Sequence, residues 1–228
     1  MTTLTISPTL AQLGLGDLAP APDRLALGRL VSFSDDVALL RPVHEFSDSP
    51  REMLLPRSEF YPDLAWAVDE TYVVEVLESG PRPLVTVNRP STLIHLAQSL
   101  VPAARSGHVR VMAAARQPGV RAKLAVAATV EGIDPIAAVL GRAAHRVARM
   151  HDLLHGERVD VVLYDEDPTT FLRYAFAPAA VLEVRPSGPR TVDVVVAPHQ
   201  MAAAVGGGGL NAVLAGRLCG VHVTVVSA

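Results

Sequence analysis

Residues 27–90 alternate short apolar runs with turn-forming stretches that contain Pro, Ser and Gly. Runs of this length, rich in Val, Leu and Tyr and bounded by turn signals, are typical of β-strands. Five such strands within about 65 residues predict a small β-barrel of the OB type. The five runs are GRLVSF, DVALLRPV, EMLLP, TYVVEVLE and PLVTVN.

Beyond Pro90 the apolar positions follow a mixed pattern that occurs twice. Each copy reads helix, strand, strand, helix, glycine-containing break, helix, strand, and Gly206 in the second copy follows Gly141 in the first by 65 residues. The side chains placed to cap the predicted helices are Ser91, Asp134 and Asp167. The pattern predicts an α+β chain with a tail and linker, a barrel and two repeated units, at 1–24, 25–90, 91–164 and 165–228.

The second break contains four consecutive glycines, in VGGGGLNAVLAGRL (205–218). Because glycine inside a helix costs about 1 kcal/mol relative to alanine, the run indicates a hinge, a turn or close approach of the backbone to a ligand. A G-x-x-G turn before a helix presents backbone N–H groups and the positive end of the helix dipole to a phosphate, as KH domains do with RNA. The surroundings fit neither a dinucleotide fingerprint nor a Walker A loop. A phosphate clamp and a purely structural turn remain the two interpretations.

Charge is unevenly distributed along the chain. The net charge is −3, but residues 91–164 carry nine basic and five acidic side chains, whereas residues 1–90 carry seven and thirteen. A basic segment of this kind is the footprint expected of a nucleic-acid partner. An ordinary fluctuation of surface charge is the alternative.

Other function classes find no support in the sequence. The single cysteine, Cys219, excludes an internal disulfide framework, and no apolar run approaches the roughly 18 residues that a membrane span requires. His151 and His155 are spaced for one helix face but have no third metal ligand beside them. We therefore expect a monomeric cytoplasmic protein that is not an enzyme, needs no cofactor or metal and has no membrane partner.

Four stretches resemble the RNA-binding core of the NusA family of bacterial transcription termination/antitermination factors. They are LLPRSEFYP (54–62), AARQPGVRAKLAV (114–126), GERVDVVLYDEDPTTFLRYAFAPAAVLEV (156–184) and GGGGLNAVLAGRLCGVHV (206–223). The resemblance covers about residues 27–228. It implies an OB barrel followed by two tandem KH domains of the prokaryotic type (type II). It also implies single-stranded RNA as ligand, a role in elongation, pausing, termination or antitermination, and RNA polymerase or other transcription factors as candidate partners.

The chain departs from the family pattern in three places. Its first loop ends in Ala144 instead of glycine, so a position that needs a positive φ would force the loop to remodel or to carry strain. In the second loop, Gly207 and Gly208 replace the usual basic or polar middle, so this loop offers backbone donors without a charge. Only 24 residues precede the predicted barrel, where family members usually carry a polymerase-binding domain, so docking on RNA polymerase does not carry over. A scaffold for protein interaction, with little RNA binding left, is therefore the alternative function.

The residues expected to contact RNA come from both units. Arg142, Arg146 and Arg149 are helically spaced and would form one basic stripe, unless they are simply a solvated face. Asn211 would either follow the loop into the RNA site or cap its helix. The full set, with the positions carried over from the family, is Arg116, Arg121, Lys123, Gly141, Arg142, Arg146, Arg149, Gly206, Gly207, Gly208, Gly209, Asn211 and Arg217.

Overall fold

The computed structural model describes residues 25–43, 52–61, 64 and 66–228. The predicted tail and linker at 1–24 lies outside the described residues.

The five predicted strands form a closed barrel in the order β1-β2-β3-β5-β4. Neighbouring strands are antiparallel, except that β3 pairs in parallel with β5 through Leu54 and Leu84. Alternate side chains fill the interior, and Leu30, Leu40 and Leu55 are completely buried there. The prediction of a small OB-type barrel is confirmed. The strands are β1 (Leu25–Phe33), β2 (Val37–Pro42), β3 (Met53–Pro56), β4 (Thr71–Glu78) and β5 (Leu84–Thr86).

The two repeated units have the same topology. In each, the first two strands are antiparallel and the last strand adds in parallel beside the second, giving the orders β6-β7-β8 and β9-β10-β11. This is the type II order, as expected. The first unit comprises α1 (Pro90–Leu100), α2 (Pro102–Arg105), β6 (Val109–Gln117), β7 (Arg121–Ala128), α3 (Pro135–Leu140), α4 (His145–Leu153) and β8 (Arg158–Leu163). The second comprises α5 (Pro168–Ala175), β9 (Val181–Gly188), β10 (Thr191–Val196), α6 (Met201–Val205), α7 (Leu210–Cys219) and β11 (His222–Ser227).

Two of the three predicted helix caps are confirmed. The Asp134 carboxylate accepts hydrogen bonds from two backbone N–H groups at the start of α3, and Asp167 accepts one from Thr170 at the start of α5. The prediction for Ser91 is wrong, because α1 begins one residue earlier, at Pro90. The Ser91 hydroxyl instead donates to Glu75 of the barrel at 2.8 Å.

Apolar clusters join the three parts of the chain. One cluster combines Leu27 and Val73 of the barrel with the helices and sheet of the first unit. Another combines Ala125 and Val162 of the first unit with Phe171 and Leu214 of the second. The second unit therefore packs its helices against the sheet of the first.

Candidate nucleic-acid interface

The four glycines form an open turn between α6 and α7. Gly206, Gly208 and Gly209 have φ values of 74°, 60° and 79°, a region that favours glycine. A Cβ on Gly206 would lie 2.8 Å from the backbone nitrogen of Asn211, whereas a Cβ on Gly207, Gly208 or Gly209 would meet nothing within 4 Å. Helix α7 starts directly after this turn, with no side-chain cap. The first position is therefore fixed by packing, and the tip leaves a helix N-terminus open to an anion.

The first loop has the same backbone conformation although only one of its four residues, Gly141, is glycine. Gly141 (φ 70°, ψ 177°) matches Gly206 (φ 74°, ψ 169°). Ala143 (φ 50°, ψ 32°) matches Gly208 (φ 60°, ψ 20°), and Ala144 is likewise left-handed, at φ 57° and ψ 22°. The loop has therefore not remodelled to avoid positive φ values at Ala143 and Ala144, and it carries backbone strain instead. A left-handed residue other than glycine costs about 1–2 kcal/mol.

Equivalent residues brace the two loops from behind. Arg146 is the second residue of α4, and its Nη1 donates to Ala138 O of α3 at 2.9 Å. Asn211 is the second residue of α7, and its Nδ2 donates to Ala203 O of α6 at 3.1 Å. The Asn211 side chain also donates to Phe176 O and is 1% exposed. Asn211 is therefore neither a helix cap nor a surface contact, which corrects both expectations for it.

Arg116 is not at the surface either. Its guanidinium forms two bonds of 2.7 and 2.8 Å to the Glu157 carboxylate, and the side chains are 1% and 0% exposed. The same guanidinium donates to the carbonyls of Val87 and Arg89, where the barrel joins the first unit. A direct RNA contact through the Arg116 side chain does not fit this burial, and the residue instead holds two domains together.

Lys123 is also completely buried. Its Nζ donates to Ala177 O of the second unit at 3.1 Å and lies 3.5 Å from Asp160 Oδ2. Burial lowers the pKa of Lys123, and the Asp160 carboxylate opposes that shift. Cys219 lies close enough for electrostatic interaction with this ammonium, and burial raises the pKa of its thiol to about 12. The predicted RNA contact at Lys123 is therefore corrected to a cation in the joint between the two units.

The remaining arginines differ in their accessibility. Arg142 is exposed at the tip of the first loop and precedes α4, so the predicted helical stripe reduces to Arg146 and Arg149, which are both partly buried. Arg121 is partly buried beside Asp160, at 2.8 Å. Arg217 is exposed on α7, with its Nη1 3.3 Å from Arg116 O.

A cleft of about 500 Å³ lies beside α7 and brings in residues that the sequence analysis did not identify. Arg190 and His222 stand with Arg217 around apolar surface that includes the exposed Val213. Arg190 is anchored by two bonds, of 3.1 and 2.8 Å, from its guanidinium to Gly220 O. The SGPR turn and the GVHV stretch carry these side chains, but only the folded sheet brings their ends beside α7.

Among the described residues, the side-chain types that commonly bind metal ions do not cluster. Within 25–43, 52–61, 64 and 66–228, no group of three or more His, Cys, Asp or Glu residues could hold a metal ion. His155 uses its Nε2 to donate to Thr71 O at 3.0 Å, whereas His151 Nδ1 lies 3.4 Å from Asp152 Oδ1. No helix in those ranges combines the length and apolar character needed to cross a bilayer.

Comparison with known proteins gives two adjacent family matches. Residues 88–164 match the NusA-like first KH domain and residues 168–228 match the NusA-like second KH domain. The chain is 36% identical over 158 residues to the transcription termination/antitermination protein NusA of Mycobacterium tuberculosis, covering 68% of this chain and 46% of that protein. It is 34% identical over 178 residues to NusA of Thermus thermophilus, covering 76% and 45%, respectively. For NusA of Halalkalibacterium halodurans the identity is 32% over 182 residues, covering 77% and 48%. The chain thus spans about half the length of the curated relatives it matches.

Proposed function

The chain belongs to the NusA-like family of KH-domain proteins, and from this premise we propose that it binds single-stranded RNA through its two loops. The observation that carries the proposal is the shared backbone of Gly141–Ala144 and Gly206–Gly209. Both loops end at the start of a helix of nine or ten residues. Helix N-termini attract anions through unpaired N–H groups and the helix dipole.

The two loops offer a phosphate different chemistry. Gly207 and Gly208 carry no side chain, so the sugar-phosphate backbone can approach the amides of the second loop closely. The first loop presents the methyl groups of Ala143 and Ala144 and the exposed guanidinium of Arg142. The second loop therefore acts through backbone donors, and the first combines the same geometry with a positive charge.

The basic character of the first unit survives the internal ion pairs. Arg116 pairs with Glu157 within the fold, and Arg121 and Lys123 share Asp160. Six arginines and three carboxylates remain in residues 91–164. The remaining excess is positive, which favours association with phosphates and makes the affinity depend on salt.

We further propose that RNA binding serves transcription elongation, pausing, termination or antitermination, without catalysis by this chain. The support is the name of the relatives, which are transcription termination/antitermination proteins. RNA polymerase and other transcription factors are the candidate protein partners, in the cytoplasm. Purified polymerase on a template with a known terminator, with and without this chain, tests the role through the fraction of read-through transcript.

The RNA-binding proposal is tested by titrating short unstructured RNAs at two or more salt concentrations. Contact with three to five phosphates predicts that log K falls with log salt with a slope of roughly −2 to −3.5. A slope near zero, or no binding at about 50 mM salt, would instead support the alternative of a protein-interaction scaffold.

A further inference from the structure

The only lysine of the chain, Lys123, lies in the joint between the two KH units. Its side chain is 0% exposed, and its Nζ donates to Ala177 O of the second unit at 3.1 Å. Asp160 Oδ2 lies 3.5 Å from this ammonium and also accepts from Arg121 Nε at 2.8 Å. A buried ion pair is weak evidence for stability, because removing the charges from water offsets their attraction. What Lys123 adds is therefore a fixed link between β7 and one carbonyl of the second unit.

The carbonyl before that of Ala177 holds the four-glycine loop, Gly206–Gly209. Phe176 O accepts a hydrogen bond from Asn211 Nδ2 at 3.1 Å, and the same nitrogen donates to two carbonyls at the end of α6. Asn211 is the second residue of α7, which starts directly after the loop. Its side chain therefore connects the last turn of α6 and the first turn of α7 with the stretch of backbone that Lys123 binds.

The four-glycine loop needs such support more than the first loop does. Glycine loses more backbone freedom on ordering than any other residue, so four glycines have the most entropy to lose in keeping one conformation. The first loop has alanine at two of its four positions, and its brace from Arg146 to Ala138 O lies within its own unit. The second loop instead draws support from the neighbouring unit. Arg217 of α7 adds a further tie, with its Nη1 3.3 Å from Arg116 O on β6.

We propose that Lys123 positions the four-glycine loop for its contact with RNA, without touching the RNA itself. It fixes the backbone at 176–177, and that backbone fixes Asn211 at the start of α7. This inference rests on the proposed function and makes the second loop depend on a residue of the first unit. The donors of the loop are backbone N–H groups, and hydrogen bonds weaken steeply as they lose alignment. A small rotation of Asn211 therefore changes how well these groups meet a phosphate.

The unmodified chain supplies the first test. Isotopically labelled lysine gives a single side-chain NMR signal, because the chain has one lysine. We expect a short single-stranded RNA at saturation to shift this signal although Lys123 is closed off from solvent, because coupling between two sites is reciprocal. Ala143→Asp should leave the shift in place, since the second loop still holds its phosphate. Gly207→Asp should remove most of it.

A double-mutant cycle supplies the second test. Lys123→Met keeps an unbranched side chain, removes the donor and should weaken RNA binding about fivefold, the effect expected of Gly207→Asp on its own. In the Lys123→Met background, Gly207→Asp should weaken binding less than about twofold, whereas Ala143→Asp should retain its full effect. The reason is that changes at coupled positions are not additive and changes at independent positions are. Fluorescence anisotropy on one short RNA measures every variant.

The control for this cycle is Leu124→Val, at the next residue of β7. Leu124 is also 0% exposed, but it packs in the core of the first unit. The variant lowers stability without touching the link to Ala177, so it should leave the effects of both aspartates unchanged. Thermal melts establish which variants are folded. If Lys123→Met does not fold, the NMR signal of the labelled chain decides the question by itself.

The outcomes separate this role of Lys123 from the proposed function. A Lys123 signal that bound RNA does not shift, or an undiminished effect of Gly207→Asp in the Lys123→Met background, overturns the positioning role and leaves RNA binding intact. Equal reduction of both aspartate effects by Lys123→Met also overturns it, because the residue then acts on the whole fold. Absence of RNA binding by the unmodified chain at low salt overturns the proposed function itself.

Discussion

Arg116 and Glu157 form a doubly hydrogen-bonded ion pair that is closed off from solvent, at 2.7 and 2.8 Å. Glu157 also accepts the backbone N–H of Gly119, and Arg116 also donates to two carbonyls at the end of the barrel. Each guanidinium nitrogen of Arg116 and each carboxylate oxygen of Glu157 thus forms at least one hydrogen bond. Two of the stretches that resemble the NusA family, those that begin at residues 114 and 156, therefore meet here and stabilise the fold.

We predict that Glu157→Gln destabilises the chain by about 3–5 kcal/mol, because it leaves the buried Arg116 charge without its counterion. Urea unfolding followed by circular dichroism measures the change. The matched control is Glu183→Gln, which breaks a pair of exposed residues, Glu183 and Arg185, and should alter stability little. Similar small effects of both substitutions would contradict the structural role given to Arg116.

Replacing Ala144 by glycine should stabilise the chain. Ala144 has φ 57°, and relief of about 1–2 kcal/mol of left-handed strain outweighs the entropy that glycine adds to the unfolded state, about 0.4–1 kcal/mol. The net gain in unfolding free energy is roughly 0.5–1 kcal/mol. Ala148→Gly, at an exposed position inside α4, should instead cost about 1 kcal/mol. Destabilisation by both substitutions would show that Ala144 is not strained.

The loops should respond alike to a negative charge, because they share one backbone conformation. Gly207→Asp places a carboxylate at an open, unstrained position and should weaken RNA binding about fivefold, the effect of one repulsion of about 1 kcal/mol between charges about 4 Å apart that are fully solvated. Ala143→Asp should weaken binding by a similar factor. Ala143 has the same left-handed conformation as Gly208, so the loss of glycines in the first loop does not reduce the effect that we expect there.

Asparagine at the same two positions is the control for this experiment. Gly207→Asn and Ala143→Asn have nearly the same shape without the charge and should retain most of the affinity, measured by fluorescence anisotropy on one short RNA. If Gly207→Asp binds as tightly as the unmodified chain, the four glycines do not hold a phosphate.

Exposed and buried cations should differ in their effect on salt dependence. Arg142→Ala should make the slope of log K against log salt shallower by about 0.7, the contribution of one phosphate of a single strand. Lys123→Met removes a cation that is completely buried, so the slope should stay unchanged. A shallower slope for a folded Lys123→Met variant would mean that this ammonium reaches RNA.

The local pattern of the sequence was sufficient for most of the architecture. Strand-length apolar runs predicted all five barrel strands, and the repeat with its offset of 65 residues predicted both units and the position of both loops. Asp134 and Asp167 marked helix starts because a cap acts on N–H groups two or three residues away. The prediction that Ser91 caps α1 was wrong because the helix begins one residue earlier, at Pro90. The Ser91 hydroxyl donates instead to Glu75, which is distant in the sequence.

Which polar residues face solvent was decided by the tertiary structure alone. Arg116 and Glu157 are 41 residues apart, and Lys123 and its acceptor on Ala177 are 54 apart, so no local pattern distinguishes these cations from Arg142. The left-handed form of Ala144 likewise opposes its local preference and persists where α3 and α4 pack on one sheet. The spacing of apolar residues along a segment shows which of its faces packs against a core, and this spacing is a property of residues that are close in sequence. Burial of a charge depends on a partner that only folding brings within 3 Å.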